Sequence, residues 1–131
     1  MIAISDLRAL AEARLLDANV LFAHGRFDSA YYLCGYAVEL ALKARICTTL
    51  NWAGYPEKSS EFDYVPSLKT HKLAILLSLS GQEKRITKEY SDDWTSLIKW
   101  NPEVRYRVVG SADPAEVAAM LVSAERLLRV I

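Results

Sequence analysis

The chain holds 131 residues, 52% of them hydrophobic and 24% charged. That mix excludes a disordered chain, and the length suits one domain, residues 1–131, able to bury about two thirds of its unfolded surface. Sixteen Lys and Arg offset sixteen Asp and Glu, which excludes a broadly cationic coat for nucleic acid but not a local basic patch.

Five Gly and four Pro are too few for a turn-rich β-sandwich and point to long helices. The opening segment, MIAISDLRALAEARLLDA, lacks a basic leader. No stretch approaches about 18 uncharged apolar residues, so neither a signal peptide nor a membrane span is expected. The expected setting is the reducing cytoplasm. Cys34 and Cys47 both fall in an apolar helical pattern and read as small buried hydrophobes, not as a disulfide framework.

The first helix is predicted over Asp6 to Ala23, with Ser5 as its N-cap. Leu7, Leu10, Ala11, Arg14, Leu15, Ala18, Leu21 and Phe22 recur at helical spacing. Arg14 alone interrupts that face, its stem covering apolar surface while its head reaches water. Gly25, free to adopt positive φ, ends the helix. Asp28 is placed to cap a second helix over Ser29 to Leu50. Its text, SAYYLCGYAVELALKARICTTL, is apolar on nearly every side, as in a helix surrounded by others. Gly35 in mid-helix costs about 1 kcal/mol against Ala, which implies a steric reason such as a helix crossing or a subunit contact.

Residues 51–69 carry Gly54, Pro56, paired serines and Pro66 and read as a long connection. Trp52, Tyr55, Phe62 and Tyr64 suggest that it folds back as a cover. A short third helix is predicted over His71 to Ser80, capped by Thr70 and ended by Gly81. A fourth is predicted over Glu83 to Lys99, with Ile86, Tyr90, Trp94, Leu97 and Ile98 inward and Asn101-Pro102 as its break. After a bridging loop, Asp113, Pro114 and Glu116 spell an N-cap, a first-turn proline and a third-position acid. Val117, Met120, Leu121, Ala124, Leu127, Leu128 and Ile131 form the buried stripe of the last helix. The expected fold class is all-α: an up-and-down bundle of four main helices plus a short one, with no strand.

Tyr32, Tyr36, Glu39 and Lys43 follow steps of four, three and four and share one stripe of the second helix. Glu39 and Lys43 have the spacing of a surface ion pair. They sit among Ala37, Leu40, Ala41 and Ala44, so a structural polar core and an anion or nucleotide site stand beside the exposed-pair reading. The expectation is a partly buried Glu39 accepting from Arg105, since an unpaired buried carboxylate is too costly and Arg is the better bidentate partner. Arg105, Tyr106 and Arg107 interleave basic and aromatic residues. Such a loop either stacks a base and holds a phosphate, or pins two helices together. Arg26, beside a helix start, would add to an anion site. His71 reads as a helix-start residue with local hydrogen bonding, and His24 as a helix C-terminal residue favoured by the dipole. Two distant histidines give no metal site, and no Walker, Rossmann or nucleophile-elbow pattern occurs, so no cofactor is expected.

The run GRFDSAYYLCGYAVELALKARI, then THKLAILL and later WNPEVRY, resembles the small prokaryotic HEPN domains. The likeness spans about Leu7 to Leu128. It is strongest at Gly25-Arg26-Phe27-Asp28, Ala30-Tyr31-Tyr32, Gly35-Tyr36, and Glu39 with Leu42-Lys43-Ala44. The resemblance implies a helical bundle that pairs into homodimers and works near nucleotides or RNA, often beside a nucleotidyltransferase partner in toxin–antitoxin pairs. It also implies metal-independent RNA cleavage, whose motif is an Arg with a His about five to seven positions later. In that pair the His moves the proton and the Arg neutralises the scissile phosphate. This sequence departs from the motif, because neither His24 nor His71 has an Arg in that window.

The reading that follows is a non-catalytic module for a nucleotide, RNA or a nucleotidyltransferase partner, with Arg26, Tyr32, Tyr36, Glu39, Lys43 and Arg105 as ligand-binding candidates. The alternatives are a ribonuclease built on His71, Arg105 and Tyr106, and a pure interaction subunit docking through the thin second helix.

Overall fold

A computed structural model describes residues 1–131 throughout. The elements run β1 (Ile2–Ala3), α1 (Ile4–Ala23), α2 (Phe27–Leu50), β2 (Gly54–Tyr55), α3 (Leu73–Leu79), α4 (Glu83–Glu89), α5 (Ser91–Leu97) and α6 (Pro114–Val130). Short 3₁₀ turns occupy Ser59–Phe62, Pro66–Leu68 and Pro102–Tyr106. The expected helical bundle is observed, and no helix is long and apolar enough to cross a membrane.

The all-round apolar text of α2 has its cause in its position. The helix packs against α1, α3, α6, β2 and the 102–106 turn. Ala30, Cys34, Ala37, Val38, Leu42, Ala44, Ile46 and Cys47 are fully buried in it. Both cysteines are therefore small core residues, and burial pushes the Cys34 thiol up to about 12. Gly35 is explained by Trp100: a Cβ added there would lie 2.2 Å from three atoms of the indole ring. The ring lies flat across the helix, 3% exposed, and its Nε1–H donates to the Tyr32 carbonyl at 3.1 Å. The steric reason for the glycine is thus a side chain from the 98–101 segment, not a helix crossing.

The ends of the first two helices differ from the sequence expectation. α1 begins at Ile4, directly after β1, without a side-chain cap, so Ser5 lies in its first turn. Strand β1 pairs antiparallel with β2, Ile2 opposite Tyr55 and Ala3 opposite Gly54. Two-residue strands leave no alternating pattern to read, which is why none was expected. Gly25 has φ of +74° and closes α1 as predicted. α2 begins at Phe27, so Asp28 lies inside its first turn and its carboxylate goes elsewhere.

The 51–69 connection does fold back. Tyr55 is buried, and its hydroxyl donates to the Leu68 carbonyl at 2.6 Å. Trp52 and Phe62 are half-buried against the core, whereas Tyr64 points out, 95% exposed. Thr70 accepts from the Lys72 N–H in a local turn, and α3 starts only at Leu73. The predicted fourth helix is two, α4 and α5, broken at Tyr90 with φ of −128°. Ser91-Asp92-Asp93 is a helix-start text that reopens the chain there, and the restart leaves Ile98 51% exposed. Asp93 is buried and accepts from Ser123 Oγ at 2.9 Å, tying α5 to α6. α6 follows expectation: Asp113 accepts from the Glu116 N–H at 3.2 Å and Pro114 opens the helix.

Candidate functional site

Two sites lie along the polar stripe of α2. The first is a groove of about 550 Å³ at the N-terminal end of the helix. Its floor is Tyr31 and Tyr32, and its walls are Arg26 to Ser29 on one side and Val104 to Glu116 on the other. Arg26, Arg105 and Arg107 bring three guanidinium groups to it, all exposed. The Arg107 guanidinium lies over the Tyr31 ring at 5.8 Å, and that of Arg105 over the Tyr106 ring at 4.8 Å. Burial raises the Tyr31 hydroxyl above its usual value, while Arg107 opposes the rise. The Tyr32 ring is near-parallel to those of Tyr36, 6.2 Å away, and Trp100, 6.3 Å away, so the aromatic floor continues along the helix.

Three acids also line the groove, Asp28, Asp113 and Glu116, so its formal charge is balanced. Two of these carboxylates are engaged by backbone. Asp113 caps α6. Asp28 accepts from the Gly110 N–H at 2.7 Å and the Ala112 N–H at 2.9 Å, which pins the far wall to α2. Those two donors, then Arg26, hold its carboxyl below the ordinary value of 3.8. A carboxyl depressed on folding stabilises the fold above its unfolded value, and that contribution is lost as pH falls through the lower folded one. Acidification below about 4 therefore releases the 107–112 wall first. Amide exchange at Gly110 and Ala112 will accelerate before that of α2, and Asp28→Asn will show the same fast exchange at neutral pH.

The second site is centred on Glu39, which is 2% exposed. Its Oε1 accepts from His71 Nδ1 at 2.5 Å and lies 3.4 Å from Lys43 Nζ. Lys43, with its side chain 16% exposed, also rests over the Tyr55 ring at 5.3 Å. Burial, then the Glu39 charge, raises the Tyr36 hydroxyl above its usual value.

The expected burial of Glu39 is observed, but its expected partner is not. Arg105 lies at the groove, against Tyr106, and His71 takes the carboxylate instead. His71 reaches Glu39 because the 51–72 connection folds back over α2, and Arg105 does not because the 102–106 turn packs on α2 beside Tyr32, about two helical turns before Glu39. Of the six ligand-binding candidates, Arg26, Tyr32 and Arg105 meet in the groove, while Glu39 and Lys43 form the second site with Tyr36 between. His71 lies against Glu39, while Arg105 and Tyr106 lie together elsewhere. His24 Nδ1–H donates to the Val20 carbonyl at 2.9 Å, at the end of α1.

Sequence spacing alone shows neither Asp28 as the anchor of the groove wall nor His71 as a carboxylate partner. The signal for His71 was present: a helix buried on every side carried one carboxylate, and the connection that covers it carried one histidine. No cluster of three or more His, Cys, Asp or Glu side chains is placed to hold a metal ion.

Searches of curated proteins and of solved structures found no match to this chain. A family model does match: that of the HEPN domain, over residues 4–60. The matched stretch contains α1, α2 and β2, hence Arg26, Asp28, Tyr31, Tyr32, Glu39 and Lys43, while His71, Arg105 and Arg107 lie beyond it. Over that stretch, somewhat under half of the chain, the sequence is similar to the HEPN domain.

Proposed function

We propose that this protein is a non-catalytic HEPN module that binds a nucleotide or single-stranded RNA through the groove at the start of α2. The observation that carries the reading is the convergence of Arg26, Arg105 and Arg107 around a tyrosine floor. Guanidinium groups take phosphate oxygens in bidentate fashion, and an aromatic floor offers a face to a base. Helices α2 and α6 both begin at the groove, and their free N–H groups favour an anion there, offsetting the acids of the lining. Support for the non-catalytic part is the lining itself, which holds three arginines and no histidine. The match to the HEPN domain over residues 4–60 is also why we propose a homodimer, a nucleotidyltransferase partner and a cytoplasmic toxin–antitoxin-type setting. Light scattering at micromolar concentration tests the dimer: a species of 14.7 kDa alone contradicts it.

The groove is tested by fluorescence anisotropy with a labelled single-stranded RNA across a salt series. Arg105→Ala and Arg107→Ala weaken binding uniformly across sequences, and each lowers the log–log salt slope by about one where it contacts a phosphate. Tyr32→Ala costs about 1–3 kcal/mol if one base stacks there. Binding that ignores all three substitutions contradicts the proposal, and RNA cleavage by the purified protein contradicts its non-catalytic part.

A further inference from the structure

The Glu39 site contains chemistry that the groove does not use. His71 has its side chain 64% exposed, yet its Nδ1 is fixed at 2.5 Å from a carboxylate that is itself 2% exposed. A ring serving only to satisfy Glu39 has no need of an open outer edge. Glu39 holds the proton on Nδ1, so the lone pair resides on Nε2, the ring atom turned away from the carboxylate. Lys43 shares the same carboxylate oxygen, which makes the buried carboxylate tolerable. Lys69 and Lys72 flank His71 in sequence and are exposed. The ring thus has a carboxylate behind it and lysines two positions before and one after it in the chain, an arrangement that suits an anionic electrophile.

We propose that His71 is a phosphoryl-accepting histidine, with Nε2 as the nucleophile and Glu39 as the positioning residue that fixes the ring and offsets its developing charge. The substrate class is a small phosphoryl donor with an N–P bond, and phosphoramidate is the probe. The Nε2 lone pair forms a bond to phosphorus, and the P–N bond of the donor breaks. The donor reacts as its zwitterion, whose nitrogen already carries three hydrogens, so neutral ammonia leaves with that electron pair. The ring then bears the phosphoryl group on Nε2 and the proton on Nδ1, facing Glu39. Nothing is oxidised or reduced. The logic is that of other activated nucleophiles, in which a third group orients the reacting pair.

The chain supplies its own reference. His24 is exposed and also has Nδ1 engaged, but by the neutral Val20 carbonyl at 2.9 Å rather than by a carboxylate. Phosphoramidate is incubated with the folded protein, and the label at each histidine is followed by mass spectrometry under alkaline conditions, where phosphohistidine survives. The expected initial rate at His71 exceeds that at His24 by at least about tenfold, the low end of what a carboxylate behind an imidazole contributes, because the Val20 carbonyl fixes a tautomer but does not offset the developing ring charge. Phosphorus NMR places the group on Nε2. Glu39→Gln, with its fold verified by circular dichroism, brings the ratio close to one. If that variant does not fold, unfolding the natural chain in urea serves instead, and the ratio must then fall to about one. Equal rates in the folded protein, phosphate on Nδ1, or a ratio unchanged by Glu39→Gln or by urea would each overturn the proposal.

Discussion

Gly35→Ala lowers the stability of the protein by about 2 kcal/mol, although the same change at an ordinary mid-helix position raises it by about 1. The reversal comes from Trp100. The added methyl group comes within 2.2 Å of the indole ring, and the atoms it meets belong to the rigid ring rather than to a flexible tip. Either the ring rides outward and exposes apolar surface, or α2 bends away from it. Both outcomes weaken the Nε1–H bond to the Tyr32 carbonyl, a bond worth about 1 kcal/mol. Thermal or urea unfolding checks the sign, and the Trp100 indole N–H signal in NMR will lose its protection. A more stable Gly35→Ala protein would mean that the indole does not lie across the helix. Because the Tyr32 ring lies near-parallel to that of Trp100, 6.3 Å away, the substitution also disturbs the groove floor and weakens RNA binding.

Glu39→Ala is the other large effect, a loss of about 2–3 kcal/mol. Removing one partner of a fully buried ion pair costs about 3–5 kcal/mol because the remaining charge is stranded. Here the stranding is incomplete, since Lys43 is 16% and His71 64% exposed and both regain water. The remaining cost is the cavity in α2 and the release of the 69–72 segment from the helix. Urea unfolding measures the first, and faster amide exchange at residues 70–73 reports the second. Glu39→Gln costs less, because an amide oxygen still accepts from His71 Nδ1. A melting temperature unmoved by Glu39→Ala would place the carboxylate in solvent.

These two residues also show how far the sequence could be read. The steps from Tyr32 to Lys43 placed a polar stripe on an otherwise apolar helix, and that pattern is local, so it survived folding. The burial of Glu39 was legible from Ala37, Leu40, Ala41 and Ala44 around it. Its partner was not, because which loop reaches which turn of α2 depends on the path of residues 51–72, and that path carries no periodicity. Gly35 announced a close approach without naming the ring that makes it. The break at Tyr90 is hidden by apolar spacing that continues in phase from Ile86 through Trp94, and the Ser-Asp-Asp text that restarts the helix is too short to outweigh it. Asp28 illustrates a different failure. A short acid beside a helix start reads as a cap, yet the same side chain accepts from Gly110 and Ala112 across 82 and 84 residues of sequence. Only the folded chain brings those donors near.

The groove and the Glu39 site share α2 but call on different chemistry, phosphate contact by arginine in one and a carboxylate-held imidazole in the other. The measurement that addresses the groove most directly is an amide NMR titration of the full chain with adenosine monophosphate. The account predicts progressive shifts confined to residues 25–32 and 104–113, diminished by salt and by Arg107→Ala. Shifts gathered instead on the outer side of α1, around Leu16 and Val20, or no shifts at millimolar nucleotide, would contradict it.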